Sequence, residues 1–130
     1  MQIAIKKDVF YEMLMHCLQQ SPLEAFGYLG GSTEKIEAMH KTPALKDDTS
    51  PPDPAEGFRM RREMKQRGHK LLGVFRAHAR TDRPTQLDLD SMPDADAVLF
   101  IVALSEAGMA VAKAYELQRG AAVQITIEIE

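Results

Sequence analysis

The residues best suited to chemistry in this 130-residue chain are His78, Thr85 and Asp88, together with Glu24 much earlier in the sequence. An imidazole and a carboxylate are common zinc ligands, and a further carboxylate near a metal-bound water can act as a general base. A catalytic zinc normally takes three protein ligands and keeps a fourth position for water. His78 and Asp88 would supply two of them, and the third is expected at position 76, where the chain has Arg76.

The local pattern predicts how these residues meet. Residues 70–78 form an apolar segment typical of a central strand, and side chains two apart on a strand point to the same side. Arg76 and His78 should therefore project together at the end of this strand. A helical turn predicted at 86–91 places Thr85 and Asp88 on one face, three residues apart. The short loop between strand and turn allows His78 and Asp88 to converge.

The rest of the chain predicts a mixed α/β domain that spans residues 1–130. Asp8 is the expected N-cap of a first helix and Asp53 that of a second, which Gly68 should end. Strand patterns alternate with turn residues, so we expect a largely antiparallel sheet of about six strands flanked by two main helices. The helices are predicted at 9–20 and 54–67, and the strand candidates at 2–5, 24–31, 35–40, 70–78, 98–104, 109–117 and 122–129. Residues 43–54 form a proline-rich loop.

Composition excludes several classes of function. The formal net charge is −3, whereas a general binder of nucleic acid or of acidic membranes would be expected to carry an excess of Lys and Arg. Cys17 is the single cysteine, so no disulfide framework is expected. The N-terminus lacks the order of a signal peptide, and the longest apolar run, at 97–104, is too short to span a bilayer. These features favour a cytoplasmic protein.

The chain resembles the JAMM metallopeptidases, also called the MPN or JAB domain. Their signature is a glutamate on an early strand, then His-x-His, about seven residues, and Ser-x-x-Asp. The segment from Pro22 to Gly31 is similar to the family's Pro-x-Glu-x-x-Gly-x-Leu-x-Gly strand, and Leu72-Gly73-Val74-Phe75 precedes the motif as expected. The resemblance covers most of the chain and implies a JAB/MPN-like, cytidine-deaminase-like fold.

The resemblance also implies a role for each matching residue. Glu24 corresponds to the general base, His78 and Asp88 to two zinc ligands, and Thr85 to the serine whose hydroxyl stabilises the oxyanion. It implies a zinc-dependent peptidase or isopeptidase that acts on a ubiquitin-like protein or on a small sulfur-carrier protein with a Gly-Gly tail.

Three positions depart from the family pattern: Arg76 replaces the first histidine, Ala79 replaces the usual proline, and the spacer between His78 and Thr85 is one residue short. A guanidinium has no lone pair to offer and stays protonated in proteins. At about 4 Å from a divalent ion it is repelled by roughly 8 kcal/mol at an effective dielectric near 20. Zinc held by His78 and Asp88 alone should therefore bind weakly.

The presence of Arg76 in place of a histidine ligand leaves two alternatives for the arrangement of the site. Asp82 or Asp90 could replace the missing ligand, since both are near in sequence. Alternatively, Glu24 and Arg76 form an internal ion pair, because a buried carboxylate needs a partner. The remaining histidines, His16, His40 and His69, are interpreted as surface residues rather than ligands.

These alternatives at the metal site correspond to two different functions of the protein. One is a zinc-dependent hydrolase with an incomplete site. The other is a metal-free module of the same fold that binds an extended tail or scaffolds a complex, because a tail can add to the edge of a sheet without zinc. A homo-oligomer formed through the C-terminal strands is compatible with either function.

Overall fold

The computed structural model describes residues 1–130 and contains an eight-stranded sheet with three helices. The strands lie in the order β3-β1-β8-β7-β6-β5-β2-β4. In chain order the elements are β1 (Gln2–Ile5), α1 (Lys7–Gln20), β2 (Phe26–Gly31), β3 (Lys35–Ile36), β4 (Ala38–Lys41), α2 (Pro54–Gln66), β5 (Lys70–His78), α3 (Gln86–Asp90), β6 (Val98–Leu104), β7 (Ala110–Gln118) and β8 (Ala121–Ile129).

The predicted mixed α/β fold is confirmed, but the sheet has more strands than expected. The segment predicted as one strand at 35–40 divides at Glu37. Its first part pairs in parallel with β1 at one edge of the sheet, and its second part pairs with β2 at the other edge. Glu37 accepts hydrogen bonds from the backbone and side chain of Ser32, and its own N–H donates to Gly30. These bonds hold the chain at the point where it passes from one edge to the other.

The two main helices cover opposite faces of the sheet. The apolar stripe of α1 packs into one core through Val9, Phe10, Met13 and Cys17. Met60 and Met64 of α2 lie in a second core on the other face. No helix combines the length and apolar character needed to cross a bilayer.

The predicted start of α1 is wrong, whereas that of α2 is confirmed. Helix α1 begins at Lys7 and not at residue 9, and Lys6 occupies the N-cap without a capping side chain. Asp8 lies in the first turn, where its carboxylate still suits the positive end of the helix. In α2 the carboxylate of Asp53 accepts a hydrogen bond from the N–H of Ala55, as an N-cap does. Arg67 is the C-cap of α2, and Gly68 follows it with a positive φ of 71°.

Strand β5 positions the candidate site. It lies between β2, which is antiparallel, and β6, which is parallel. Arg76 is in register with Phe26, so the end of β5 lies beside the start of β2. Glu24 lies two residues before the start of β2 and exchanges two backbone hydrogen bonds with Leu45, of 2.8 and 2.7 Å. This bridge brings the start of the 43–54 loop to the same end of the sheet.

Candidate functional site

Arg76 and Glu24 form a buried ion pair. The Nε atom of Arg76 donates to Oε1 of Glu24 at 2.9 Å, and the two side chains are 1% and 7% exposed. Nη2 of Arg76 donates to the backbone oxygen of Asp47, also at 2.9 Å, while the buried Nη1 has no partner. The ion pair expected as an alternative to a metal site is thus confirmed.

His78, Asp88 and Thr85 form the second half of the site. Nε2 of His78 lies 2.8 Å from Oδ2 of Asp88, which also accepts the N–H of Thr85 at 2.8 Å. The hydroxyl of Thr85 accepts the N–H of Asp88, so the two residues form a capping box at the start of α3. Thr85 is therefore the N-cap of α3, and its hydroxyl proton is still available to donate.

The two halves of the site are in contact. Nδ1 of His78 lies 3.6 Å from Oε1 of Glu24, and Nε of Arg76 lies 3.8 Å from Oδ1 of Asp88. The structure therefore brings Glu24, Arg76, His78 and Asp88 into one cluster of contacting side chains. All four are buried, which is unusual for ionisable groups unless they are paired.

The environment raises the pKa values of Glu24 and His78 and lowers that of Asp88. Burial raises the pKa of Glu24, and hydrogen bonding with Asp48 adds to the rise, although Arg76 and His78 oppose it. Burial acts to raise the pKa of Asp88, but the hydrogen bonds from His78 and from the Thr85 N–H outweigh it, and this pKa is lowered. Burial acts to lower the pKa of His78, but Asp88 and then Glu24 reverse the direction and raise it.

Asp48 is a site residue that the sequence did not single out. One oxygen of Asp48, one of Glu24 and one ring nitrogen of His78 all lie within 4.8 Å of one another. Hydrogen bonding with Glu24 lowers the pKa of Asp48. The only signal in the sequence was a pair of acidic residues in a proline-rich loop, and a loop has no periodicity from which the direction of a side chain can be read.

The residues expected to replace the missing ligand lie elsewhere. The carboxylate of Asp82 pairs with Lys113, and that of Asp90 accepts a hydrogen bond from Gln86 on the exposed face of α3. Neither belongs to the group that could hold a metal ion. The interpretation of His16 and His40 as surface residues is wrong, because both are buried, at 7% and 6% exposure.

The four residues carried over from the family pattern do not fit a zinc ion with three protein ligands. The position of the first imidazole holds a guanidinium, which has no lone pair, and this guanidinium binds Glu24. Nε2 of His78 and Oδ2 of Asp88 bind each other instead of facing a shared centre. Near Glu24, Asp48 and His78 the surface opens into a polar cleft of about 430 Å³.

Comparison with solved structures supports the fold. A protein from Desulfitobacterium hafniense aligns with a TM-score of 0.82 and 26% identity, over 98% of this chain and 92% of that one. A JAB1/MPN domain protein from Archaeoglobus fulgidus aligns with a TM-score of 0.65 and 16% identity, over 97% and 99%. A structure described as a metalloprotease-like zinc site in the proteasome and signalosome gives a TM-score of 0.60 and 15% identity, over 98% of both chains.

The sequence itself places the chain in a family. No curated protein matches it. The family profile described as prokaryotic homologs of the JAB domain matches residues 6–118, which includes Glu24 and the whole segment from Arg76 to Asp88. The chain therefore belongs to the prokaryotic JAB-domain family.

Proposed function

We propose that this domain binds the extended C-terminal tail of a ubiquitin-like or sulfur-carrier protein and does not hydrolyse it efficiently. The observation that carries this proposal is the buried Arg76–Glu24 pair. Arg76 occupies the place of a zinc ligand and engages the residue that would act as general base. Breaking such a pair is costly, because each charge would be left without a partner in a buried site.

The surroundings of the pair offer a place for such a tail. The polar cleft of about 430 Å³ reaches Glu24 and His78 and has the small side chain of Ala79 on its wall. Strand β4 ends the sheet on this side and pairs only with β2. Its outer edge has backbone groups that an extended peptide can bind by strand addition. A tail ending in Gly-Gly suits the cleft because glycine needs no side-chain space.

A zinc-dependent peptidase or isopeptidase is the second candidate. It is favoured by the contacts that join Glu24, His78 and Asp88 in one cluster, as expected for residues of a hydrolase site. The two candidates differ in the fate of the tail. The binding module leaves the tail intact in the presence of zinc, whereas the hydrolase cleaves it.

Titration of a Gly-Gly peptide followed by NMR tests the proposal. With EDTA present, a synthetic peptide ending in Gly-Gly should shift the amide signals of β4 and of residues 46–49. The same peptide ending in Val-Val should bind at least tenfold more weakly. An isopeptide conjugate of the tail should stay intact when zinc is added. Absence of binding, or multiple-turnover cleavage of the conjugate, contradicts the proposal.

A matched pair of variants locates the binding. Ala79→Trp places a large side chain on the wall of the cleft and should abolish peptide binding. Ala95→Trp makes the same change at an exposed position in the loop before β6 and should leave binding unchanged. Equal affinities for the two variants would exclude the cleft as the binding site.

A further inference from the structure

The outer face of α2 exposes an aromatic ring among basic side chains. The spacing of three, four and seven residues along the helix places four residues in one row, the α2 stripe: Phe58, Arg61, Arg62 and Lys65. Phe58 is 70% exposed, and the three cations are exposed as well. A single exposed apolar residue is common on protein surfaces. An aromatic ring together with arginines, however, is a combination enriched at protein interfaces.

The cations of the α2 stripe have no acidic partner within the chain. Arg59, on the neighbouring face of the helix, pairs with two glutamates of α2 at 2.7 and 3.0 Å. Arg62 and Lys65 form no ion pair. Arg61 donates only to the backbone oxygen of Pro93, at 3.0 Å. The stripe therefore carries unpaired positive charge on a molecule whose formal net charge is −3.

A cavity of about 310 Å³ lies beside Phe58. Prolines from the loop before α2, from the first turn of α2 and from the loop before β6 line it: Pro51, Pro52, Pro54 and Pro93. Tyr28 also lines the cavity and is only 5% exposed, and its hydroxyl makes no hydrogen bond within the chain. A Cβ atom at Gly57 would lie 3.1 Å from this hydroxyl, so the hydroxyl reaches α2 next to Phe58. The cavity suits one apolar side chain of a partner, and the free hydroxyl can bind a backbone group of that partner.

The surroundings of the α2 stripe favour a narrow acidic segment over a broad anionic surface. Asp53 lines the cavity, and Asp94 and Asp96 lie in the loop that faces Arg61. A membrane or a nucleic-acid duplex that reached the stripe would also meet these carboxylates, which repel it. A second copy of the chain that paired its own α2 with this one would bring like charges together. A single peptide segment can lie along the stripe and avoid both conflicts.

We propose that the α2 stripe and the adjoining cavity bind an acidic segment of a partner protein. One apolar side chain of the segment enters the cavity beside Phe58, and two carboxylates pair with Arg62 and Lys65. A helical rise of about 1.5 Å per residue places these cations about 6 Å and about 10 Å from Phe58 along the axis. An extended segment advances about 3.3 Å per residue. The carboxylates should therefore stand two and three residues from the apolar residue, as in Leu-x-Glu-Glu or its reverse.

The α2 stripe shares no residue with the polar cleft near His78, and neither does the cavity beside Phe58. The inference is therefore independent of the proposed function. A segment bound along α2 leaves the cleft free for a tail, and failure of one of the two binding sites leaves the other intact.

Titration of a synthetic peptide that contains Glu-Glu-Ser-Leu-Ser-Glu-Glu tests the proposal, because this sequence presents the pattern in both directions. Fluorescence anisotropy of the labelled peptide should show binding that weakens when the salt concentration is raised to about 0.5 M. Glutamine in place of the glutamates, or alanine in place of the leucine, should each weaken binding at least fivefold. In NMR spectra the peptide should shift the amide signals of residues 57–65 and leave those of residues 46–49 unchanged.

Variants of α2 locate the binding. The double variant Arg62→Glu/Lys65→Glu should weaken binding of the peptide at least tenfold, and Phe58→Ala at least fivefold. Arg59→Gln removes a cation of the same helix outside the stripe and should change the affinity less than twofold. All four positions are exposed, so the variants should fold normally, which thermal unfolding checks.

Several results would overturn the inference. These are absence of peptide binding, equal affinities for the glutamate and glutamine peptides, and an unchanged affinity in Arg62→Glu/Lys65→Glu. Binding of phosphatidylserine vesicles or of duplex DNA without binding of the peptide would assign the stripe to a different occupant and would also contradict it. So would a dimer of the wild type that Phe58→Ala dissociates.

Discussion

Arg76 is held on two sides, by the carboxylate of Glu24 and by the backbone oxygen of Asp47. The first bond ties β5 to the segment just before β2, and the second ties it to the 43–54 loop. Glu24 and Arg76 could be paired from the sequence alone, because a carboxylate in an apolar segment needs a partner and Arg76 was the nearest expected cation. The bond to Asp47 could not be predicted, since it depends on the path of the loop.

At the residue scale, removing one member of the pair should cost more than removing both. Arg76→Met leaves Glu24 buried without its partner and should lower the free energy of unfolding by about 3 kcal/mol. The double variant Glu24→Leu/Arg76→Met should recover most of this loss, because two apolar side chains replace two charges. Urea denaturation at pH 7 measures both values. Strictly additive losses would show that the two side chains are not coupled.

At the element scale, α3 is a helix of five residues whose position depends on its capping box. The sequence predicts a helical turn at 86–91, which places Thr85 and Asp88 on one face, three residues apart. The structure shows that the same two residues also orient the imidazole of His78. A local signal was therefore enough to place α3, whereas its contact with β5 depends on the tertiary fold.

Thr85→Ala should lower the free energy of unfolding by about 1 kcal/mol, because the N–H of Asp88 loses its acceptor. Thr85→Ser keeps the hydroxyl and should stay within a few tenths of a kcal/mol of the wild type. Thermal unfolding of both variants provides the comparison. If Thr85→Ser is as destabilised as Thr85→Ala, the hydroxyl is not the stabilising group.

At the scale of the whole molecule, the sequence predicted which segments form strands but not how the strands are ordered. Periodicity identifies a strand and its buried face, whereas the pairing of distant strands depends on long-range contacts. The segment at 35–40 shows the limit clearly, because its two halves pair at opposite edges of the sheet. The same limit explains why the sequence does not predict the burial of His16 and His40: the elements that bury them are distant in sequence.

Two buried histidines should make the stability of the molecule depend on pH. Burial lowers the pKa of His16 and of His40, and Lys41 and Arg67 respectively add to the effect. At these two positions the unfolded chain therefore takes up protons below a pH of about 6.5 that the folded chain does not, so their contribution to stability falls as pH decreases from there toward the folded pKa values. His78, whose pKa is raised, contributes with the opposite sign.

The variant His40→Leu should reduce this pH dependence. Urea midpoints measured between pH 7.5 and 5 should fall less steeply in the variant than in the wild type. Met39→Leu, on the same strand, removes no titratable group and should keep the wild-type slope. A slope that is unchanged in His40→Leu would show that His40 takes up its proton equally in both states.

Calorimetric titration of zinc into Arg76→His, Arg76→Gln and the wild type tests the central claim most directly. Arg76→Gln removes the positive charge, whereas Arg76→His also supplies the imidazole found in the family pattern. The account predicts that Arg76→His binds zinc at least tenfold more tightly than the wild type and more tightly than Arg76→Gln. Equal zinc affinities for Arg76→His and the wild type would contradict it, because position 76 would then not face the metal.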